Sequence, residues 1–203
     1  IPEGESCRWL RRAAREHGVF VCAGLVERGT PDVDGGSGLF NAAVLMDPRG
    51  EVVLQHRKIN ELELARPLYS VGDRLGVVAT PWGRAGLMIC ADAFVPGQVI
   101  SRTLAQMGAR FILSPCAWAV PADHDNARSP YGQLWMDNYG PVAREFGVWI
   151  AGCSNVGPIT AGDWAGRKCI GNSLVCAPSG HIAARGSYGE AADEIVLVRV
   201  ELT

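Results

Sequence analysis

The chain has 203 residues, 48% of them hydrophobic and 20% charged, the proportions of a packed globule rather than a disordered tail. With 19 Lys+Arg against 21 Asp+Glu the formal net charge is −2, which excludes a strongly basic nucleic-acid surface. No run approaches the roughly 18 apolar residues of a membrane-crossing helix, and Glu3, Glu5 and Arg8 are unlike a signal peptide, so the expectation is a cytoplasmic chain.

In chain order, the first predicted element is a helix capped by Ser6. Trp9, Leu10, Ala13 and Ala14 recur at helical spacing until Gly18. Val19 to Ala23 reads as a buried strand, and residues 28–38, rich in Gly and Asp, as a loop. Ala42–Met46 and Glu51–Gln55 form a hairpin around the turn Asp47-Pro48-Arg49-Gly50. Gly86–Ile89 is a strand, Val99–Met107 a helix and Phe111–Leu113 a strand. A polar loop leads to a helix over Tyr131–Phe146, which Gly140-Pro141 should break or kink. Strands at Val148–Gly152, Ser173–Ala177, His181–Ala184 and Glu194–Val200 complete the chain. Alternating elements flanked by hairpins predict a mixed sheet covered by helices, in one domain over residues 1–203.

The 7 cysteines are odd in number and irregularly spaced, and no C-x-x-C occurs. That pattern predicts reduced thiols and no zinc site. Cys90 stands apart because it ends the apolar run Gly86-Leu87-Met88-Ile89 and precedes Ala91-Asp92. A thiol at a strand-to-helix turn faces amide groups that favour its thiolate and can hold an oxyanion. His56-Arg57-Lys58-Ile59-Asn60 ends the hairpin, and an ammonium beside a reactive thiol stabilises both thiolate and oxyanion.

These segments together resemble the amidase-like branch of the nitrilase superfamily of carbon–nitrogen hydrolases, along nearly the whole chain. The similarity is carried by Phe40-Asn41-Ala42-Ala43 with Asp47-Pro48-Arg49-Gly50, by His56-Arg57-Lys58-Ile59 and by Gly72-Asp73. It continues through Gly83, Gly86 to Asp92, Ser114-Pro115-Cys116-Ala117-Trp118, Ser154-Asn155-Val156-Gly157 and Gly171-Asn172-Ser173. The resemblance implies an α/β fold, a four-layer α-β-β-α sandwich with mixed sheets, assembled as a homodimer or larger homo-oligomer. It implies no cofactor and no metal. It assigns Cys90 as nucleophile on a small-molecule amide, Lys58 and the Ala91 amide as oxyanion donors, and a Glu as general base, with ammonia or an amine leaving. Acyl transfer through the same acyl-enzyme and an inactive binding subunit are the alternatives.

The family's base follows a first apolar strand, and none of Glu3, Glu5, Glu16, Glu27 or Glu51 does so. The expectation is therefore that residues 1–203 lack the first strand and the catalytic Glu, with Glu3 a helix-entry residue. A second family Glu orients the Lys; Glu61 and Glu63 are the available acids, and spacing does not choose between them, with Glu63 the working assignment. Ala91-Asp92 replaces the Trp-Glu of nitrile-cleaving members, and Ala93-Phe94 stands where carbamoyl-cleaving members supply Arg. An amide is thus favoured, with Phe94 as an apolar wall and Cys116 and Trp118 lining the pocket. Asp123-His124-Asp125-Asn126 reads as a solvated or gating loop, His17, His56, His124 and His181 as structural, and the Tyr131, Trp135, Tyr139 stripe as core or interface.

Overall fold

The computed structural model describes residues 1–30 and 37–201, so most of the loop expected over 28–38 lies outside the described residues. Its helices are α1 (Glu5–His17), α2 (Val99–Gln106) and α3 (Gln133–Phe146). Its strands are β1 (Val21–Arg28), β2 (Leu39–Met46), β3 (Val52–Arg57), β4 (Val77–Thr80), β5 (Gly83–Leu87) and β6 (Ala109–Cys116). They continue with β7 (Ala119–Val120), β8 (Trp149–Ser154), β9 (Val156–Pro158), β10 (Lys168–Ile170), β11 (Leu174–Cys176) and β12 (Ile182–Arg185).

Two sheets form the inner layers. One is the antiparallel meander β1-β2-β3. The other has the order β12-β11-β8-β6-β5-β4, with β6 parallel to both β5 and β8 and the outer pairs antiparallel. A third, small sheet, β7-β10-β9, sits at the periphery. Strand β2 is apolar on both faces because both faces are covered. Ala43 and Leu45 meet Ala85, Leu87 and Ile89 of the larger sheet, whereas Val44 and Met46 meet Cys7 and Ala14 of α1. On the far side, Ile100 and Leu104 of α2 and Trp135, Tyr139 and Val142 of α3 cover Ile112 and Ile150. The layers are therefore helix, sheet, sheet, helix, as the α-β-β-α expectation has it.

Local departures from the sequence reading have physical causes. Helix α1 starts at Glu5 behind Gly4, without a side-chain cap from Ser6. It buries Cys7 and Ala14 and leaves Trp9 62% exposed beneath the Arg12 guanidinium. Helix α3 runs unbroken through Pro141. The proline removes the bond to the carbonyl of residue 137, but Asp137 lies on the exposed face, where water can take it, and the buried stripe holds the helix. Residues 194–200 carry the apolar, mostly β-branched run Ile195-Val196-Leu197-Val198 yet pair with no other strand among the described residues; Ile195 and Leu197 are each 88% exposed. Strand β4 has no counterpart in the sequence reading. The turn at Asp47 is as expected, with its carboxylate accepting the Arg49 and Glu51 N–H groups, each at 2.9 Å.

Past Lys58 the chain doubles back so closely that Gly72 N donates to Lys58 O at 2.8 Å. A Cβ at Gly72 would meet Arg57 O at 2.0 Å and Arg57 C at 2.6 Å, both backbone atoms that cannot rotate away. This close approach accounts for glycine in the Gly72-Asp73 pair. Gly72→Ala is expected to cost at least the ~1–3 kcal/mol of ordinary overpacking, read as a lower urea midpoint at unchanged slope.

Candidate active site

Cys90 sits directly after the Ile89 end of the β5 run, as the first residue of a short 3-10 helix, Cys90–Phe94. Its φ is +46°, a conformation that costs a side-chain-bearing residue free energy and must be held by its surroundings. The surroundings do so in three places. Cys90 N donates to Ser114 Oγ at 3.1 Å, Ile89 N to Asp92 Oδ2 at 2.9 Å, and Asp92 N back to Ile89 O at 3.0 Å. The result is an elbow that presents the sulfur to a cavity of about 370 Å³ lined by Leu25, Asn41, Lys58, Cys116, Asn155 and Trp164, among others.

Lys58 follows β3 in the other sheet. It is 4% exposed, with its Nζ 3.1 Å from Glu61 Oε2. Glu61 is the acid that reaches Lys58, and Glu63 is exposed in a separate 3-10 turn, Glu63–Ala65. The assignment to Glu63 is thereby corrected. Residues 58–62 form a bend, not a strand, so neighbours three apart meet instead of neighbours two apart. Burial pushes the Glu61 carboxyl above its ordinary range, although the Lys58 ammonium pulls it back.

Asp92 joins the two halves. Wholly buried, it accepts from the His56 ring at 2.8 Å, from Ile59 N at 3.1 Å, from Asn60 N at 2.7 Å and from Ile89 N at 2.9 Å. The Asn60 side chain adds a bond to Ala91 O at 2.7 Å. His56, read from sequence as structural, serves this clamp. The sequence contained the residues but gave no sign of the pairing.

Around the sulfur, the Cys116 thiol is the strongest influence holding Cys90 down, followed by the Lys58 ammonium and the N–H groups of Ala117 and Ala91. Together they bring it to about 7 against the burial that pushes it up. The Ala91 N–H faces the sulfur, although Ala91 is not among the residues lining the cavity, and Ala117 is a second amide there that sequence reasoning missed. Cys116 lines the cavity. Phe94 and Trp118 do not, which corrects their assignment to the wall. Phe94 packs on Trp135 with ring centroids 5.4 Å apart, and Trp118, 1% exposed, stacks on Trp135 at 4.5 Å. Aromatic surface was more useful there, closing the core between β6 and α3. The cavity wall is instead made by Leu25, Ile159 and Trp164, whose sequence positions carry no distinguishing pattern.

The remaining motifs lie elsewhere. Glu3 is exposed at the start of α1, and its carbonyl accepts from Arg8 Nη1 at 2.7 Å. Asp125 Oδ1 caps Ala127 N at 2.9 Å, and His124 lies near Tyr188. Among the described residues no group of three His, Cys, Asp or Glu side chains could hold a metal ion. All 7 cysteines are free thiols. Trp135 and Tyr139 of the aromatic stripe are core residues.

Comparison with known proteins agrees with this geometry. The family model "Carbon-nitrogen hydrolase" matches residues 1–203. A nitrilase of Pyrococcus abyssi (strain GE5 / Orsay) is 32% identical over 205 residues, covering 100% of this chain and 67% of the relative. A 2-oxoglutaramate amidase of Bacillus subtilis (strain 168) is 26% identical over 204 residues, covering 98% of this chain and 68% of the relative. Among solved structures, a carbon-nitrogen hydrolase from Helicobacter pylori G27 superposes with a TM-score of 0.76 at 22% identity, covering 91% of this chain and 65% of that one. An amidase from Nesterenkonia sp. gives 0.70 at 23%, covering 92% and 63%. The chain thus spans about two thirds of the length of these relatives.

Two outcomes are expected from this geometry. Asp92→Ala leaves a buried imidazole and three backbone N–H groups without their acceptor. It should lose about 3–5 kcal/mol in urea unfolding, and His56→Ala clearly less, because Asp92 then keeps its backbone donors. Iodoacetamide labelling of Cys90, followed by peptide mass spectrometry, should rise through a midpoint near pH 7 and fall about tenfold per unit below it, since only the thiolate reacts. With its motifs in order along both sheets and a family match across every residue, the chain belongs to the nitrilase superfamily of carbon–nitrogen hydrolases.

Proposed function

We propose that the protein is a thiol hydrolase that cleaves the carbon–nitrogen bond of a small amide. The observation that carries this reading is the convergence of Cys90, Lys58 and Ala117 on one cavity, with the Ala91 amide on the Cys90 sulfur. Cys90 thiolate attacks the amide carbon, forming a C–S bond and pushing the carbonyl electrons onto oxygen. Lys58 and the amide groups hold that oxyanion. The C–N bond then breaks as nitrogen takes a proton and leaves as ammonia or amine. Water adds to the thioester, the C–S bond breaks, and the carboxylic acid departs.

The general base in this scheme is a carboxylate. Glu61 is committed to Lys58, and Glu3 is exposed ahead of α1 and is not among the residues lining the cavity. No Glu is among the described residues lining the cavity, and the resemblance assigns the base to a Glu that follows a first apolar strand; β1 has a free edge among the described residues and lines the cavity through Gly24, Leu25 and Val26. A neutral substrate is favoured because Lys58 is the one cation among the described lining residues and is already paired with Glu61. In a Glu-to-Gln mutant of the amidase from Nesterenkonia sp. AN1, acrylamide is found added to the active-site cysteine by Michael addition.

The test is ammonia release from a panel of small neutral amides. Cys90→Ser should abolish it, and Lys58→Met should lower kcat by roughly 10²–10³, the usual cost of an oxyanion donor. Cys90→Ser releasing ammonia at the unmodified rate would overturn the reading. Acrylamide should add one equivalent to the unmodified protein by intact mass, mapped to Cys90.

A further inference from the structure

The cavity holds a second sulfur that the chemistry above does not use. Cys116, at the end of β6, lines the same cavity as Cys90, and both residues meet the Ser114 hydroxyl, so each thiol is the other's neighbour there. Its other neighbours are polar. Cys116 Sγ is 3.3 Å from Ser114 O and 3.4 Å from Ser114 Oγ, the same hydroxyl that accepts from Cys90 N. The wholly buried Tyr139 hydroxyl, from α3, closes the cluster beside Ser114 and Cys116.

A thiol has a single hydrogen, so these neighbours compete for it. While Cys90 is neutral, the Ser114 carbonyl is the better acceptor, and the Cys116 S–H lies along that 3.3 Å contact. Once Cys90 is an anion the preference reverses, because a hydrogen bond to a charged acceptor is roughly twice as strong as one to a neutral acceptor. The bond therefore favours the ionised form over the neutral one, which is the condition for shifting an equilibrium.

We propose that Cys116 is a positioning residue for the reactive thiol: its S–H turns from the Ser114 carbonyl to Cys90 Sγ as Cys90 ionises, holding the nucleophile as thiolate. The proposal takes from the functional reading only that Cys90 is the reactive group. Burial pushes Cys116 itself well above the ordinary thiol range, so at neutral pH it retains the hydrogen it must donate. The other ionisable groups facing this pair are Lys58 beyond β3, Tyr131 and Tyr139 from the α3 side, and Cys169 on β10. The tyrosines are pushed up by burial, Tyr131 to about 12, and Cys169 is raised as well, so none of the three supplies an anion near pH 7. Lys58 is the remaining cation, and its field is opposed by Glu61.

The experiment is the pH profile of Cys90 labelling by iodoacetamide, resolved by peptide mass spectrometry, in the unmodified protein and in Cys116→Ala, Cys116→Val and Cys116→Ser. Valine fills the thiol's space without a donor, in case alanine collapses the wall. The Ala and Val midpoints should rise by about one pH unit, about tenfold less thiolate at a fixed pH below both midpoints. Serine, which keeps a donor of similar size, should bring the midpoint back towards that of the unmodified protein. Unchanged midpoints in Ala and Val, or an equal rise in all three variants, would overturn the proposal. No amide is present in the assay, so a midpoint that shifts as described in a protein that releases no ammonia would sink the hydrolase reading alone.

Discussion

One buried carboxylate sets the distance between the two sheets at the point where chemistry is proposed. Asp92 follows β5 in the larger sheet, and its partners His56, Ile59 and Asn60 follow or end β3 in the smaller one. Apolar contact between sheets has no direction and tolerates sliding. Three hydrogen bonds from the smaller-sheet side to this one rigid group, with the Asn60 side chain on Ala91 O beside them, remove that freedom. A fourth ties down the Cys90 elbow through Ile89 N, so the clamp that places Lys58 also holds the strained φ of the thiol.

The electrostatics follow from the same burial. Lys58 and Glu61 are both almost fully buried, and each compensates the other's desolvation. The pair leaves the cavity close to neutral overall, so an ammonium lies near the sulfur without the cost of a lone buried cation. The two shifts have different causes: burial raises Glu61 against the pull of Lys58, whereas Cys116 and then Lys58 lower Cys90. Acidic charge has been placed next to the lysine and kept away from the thiol.

A mixed sheet covered by helices and the residues flanking the elbow could be read from the sequence pattern, for identifiable reasons, whereas the four-layer order came from the family resemblance. Apolar runs such as Ala42–Met46 are long enough to specify strands covered on both faces, and Asp47-Pro48-Arg49-Gly50 specifies its turn by φ preference and side-chain capping. Cys90 was visible because a strand-to-helix junction is a local pattern. Pairings across the sheets were not, since nothing near His56 announces Asp92, 36 residues away. Glu61 and Glu63 were indistinguishable until the backbone between them proved to be a bend. Phe94 and Trp118 were misplaced because an aromatic beside a cavity and an aromatic beneath it have the same sequence neighbourhood. Residues 194–200 show the converse: a mostly β-branched apolar run becomes a strand only where a partner strand is at hand.

Small residues decide where the cavity opens. At the sheet interface Ala43 and Ala85 let the backbones come together, and Gly24 of β1 approaches Pro115 so closely that a Cβ would sit 3.1 Å from the proline ring. Beyond this pinch Leu25 and Val26 border empty space shared with Cys90 and Lys58. The larger sheet contributes Cys90 and the amides facing its sulfur, and the smaller sheet contributes the Lys58 ammonium. The geometry that matters is therefore an inter-sheet distance, fixed on one side by alanine and glycine packing and on the other by Asp92. A bulkier residue in the pinch and a lost acceptor at Asp92 would have the same consequence, by separate routes: Lys58 and Cys90 would move apart. That shared dependence ties an apolar core with no chemistry of its own to the reactivity of one thiol.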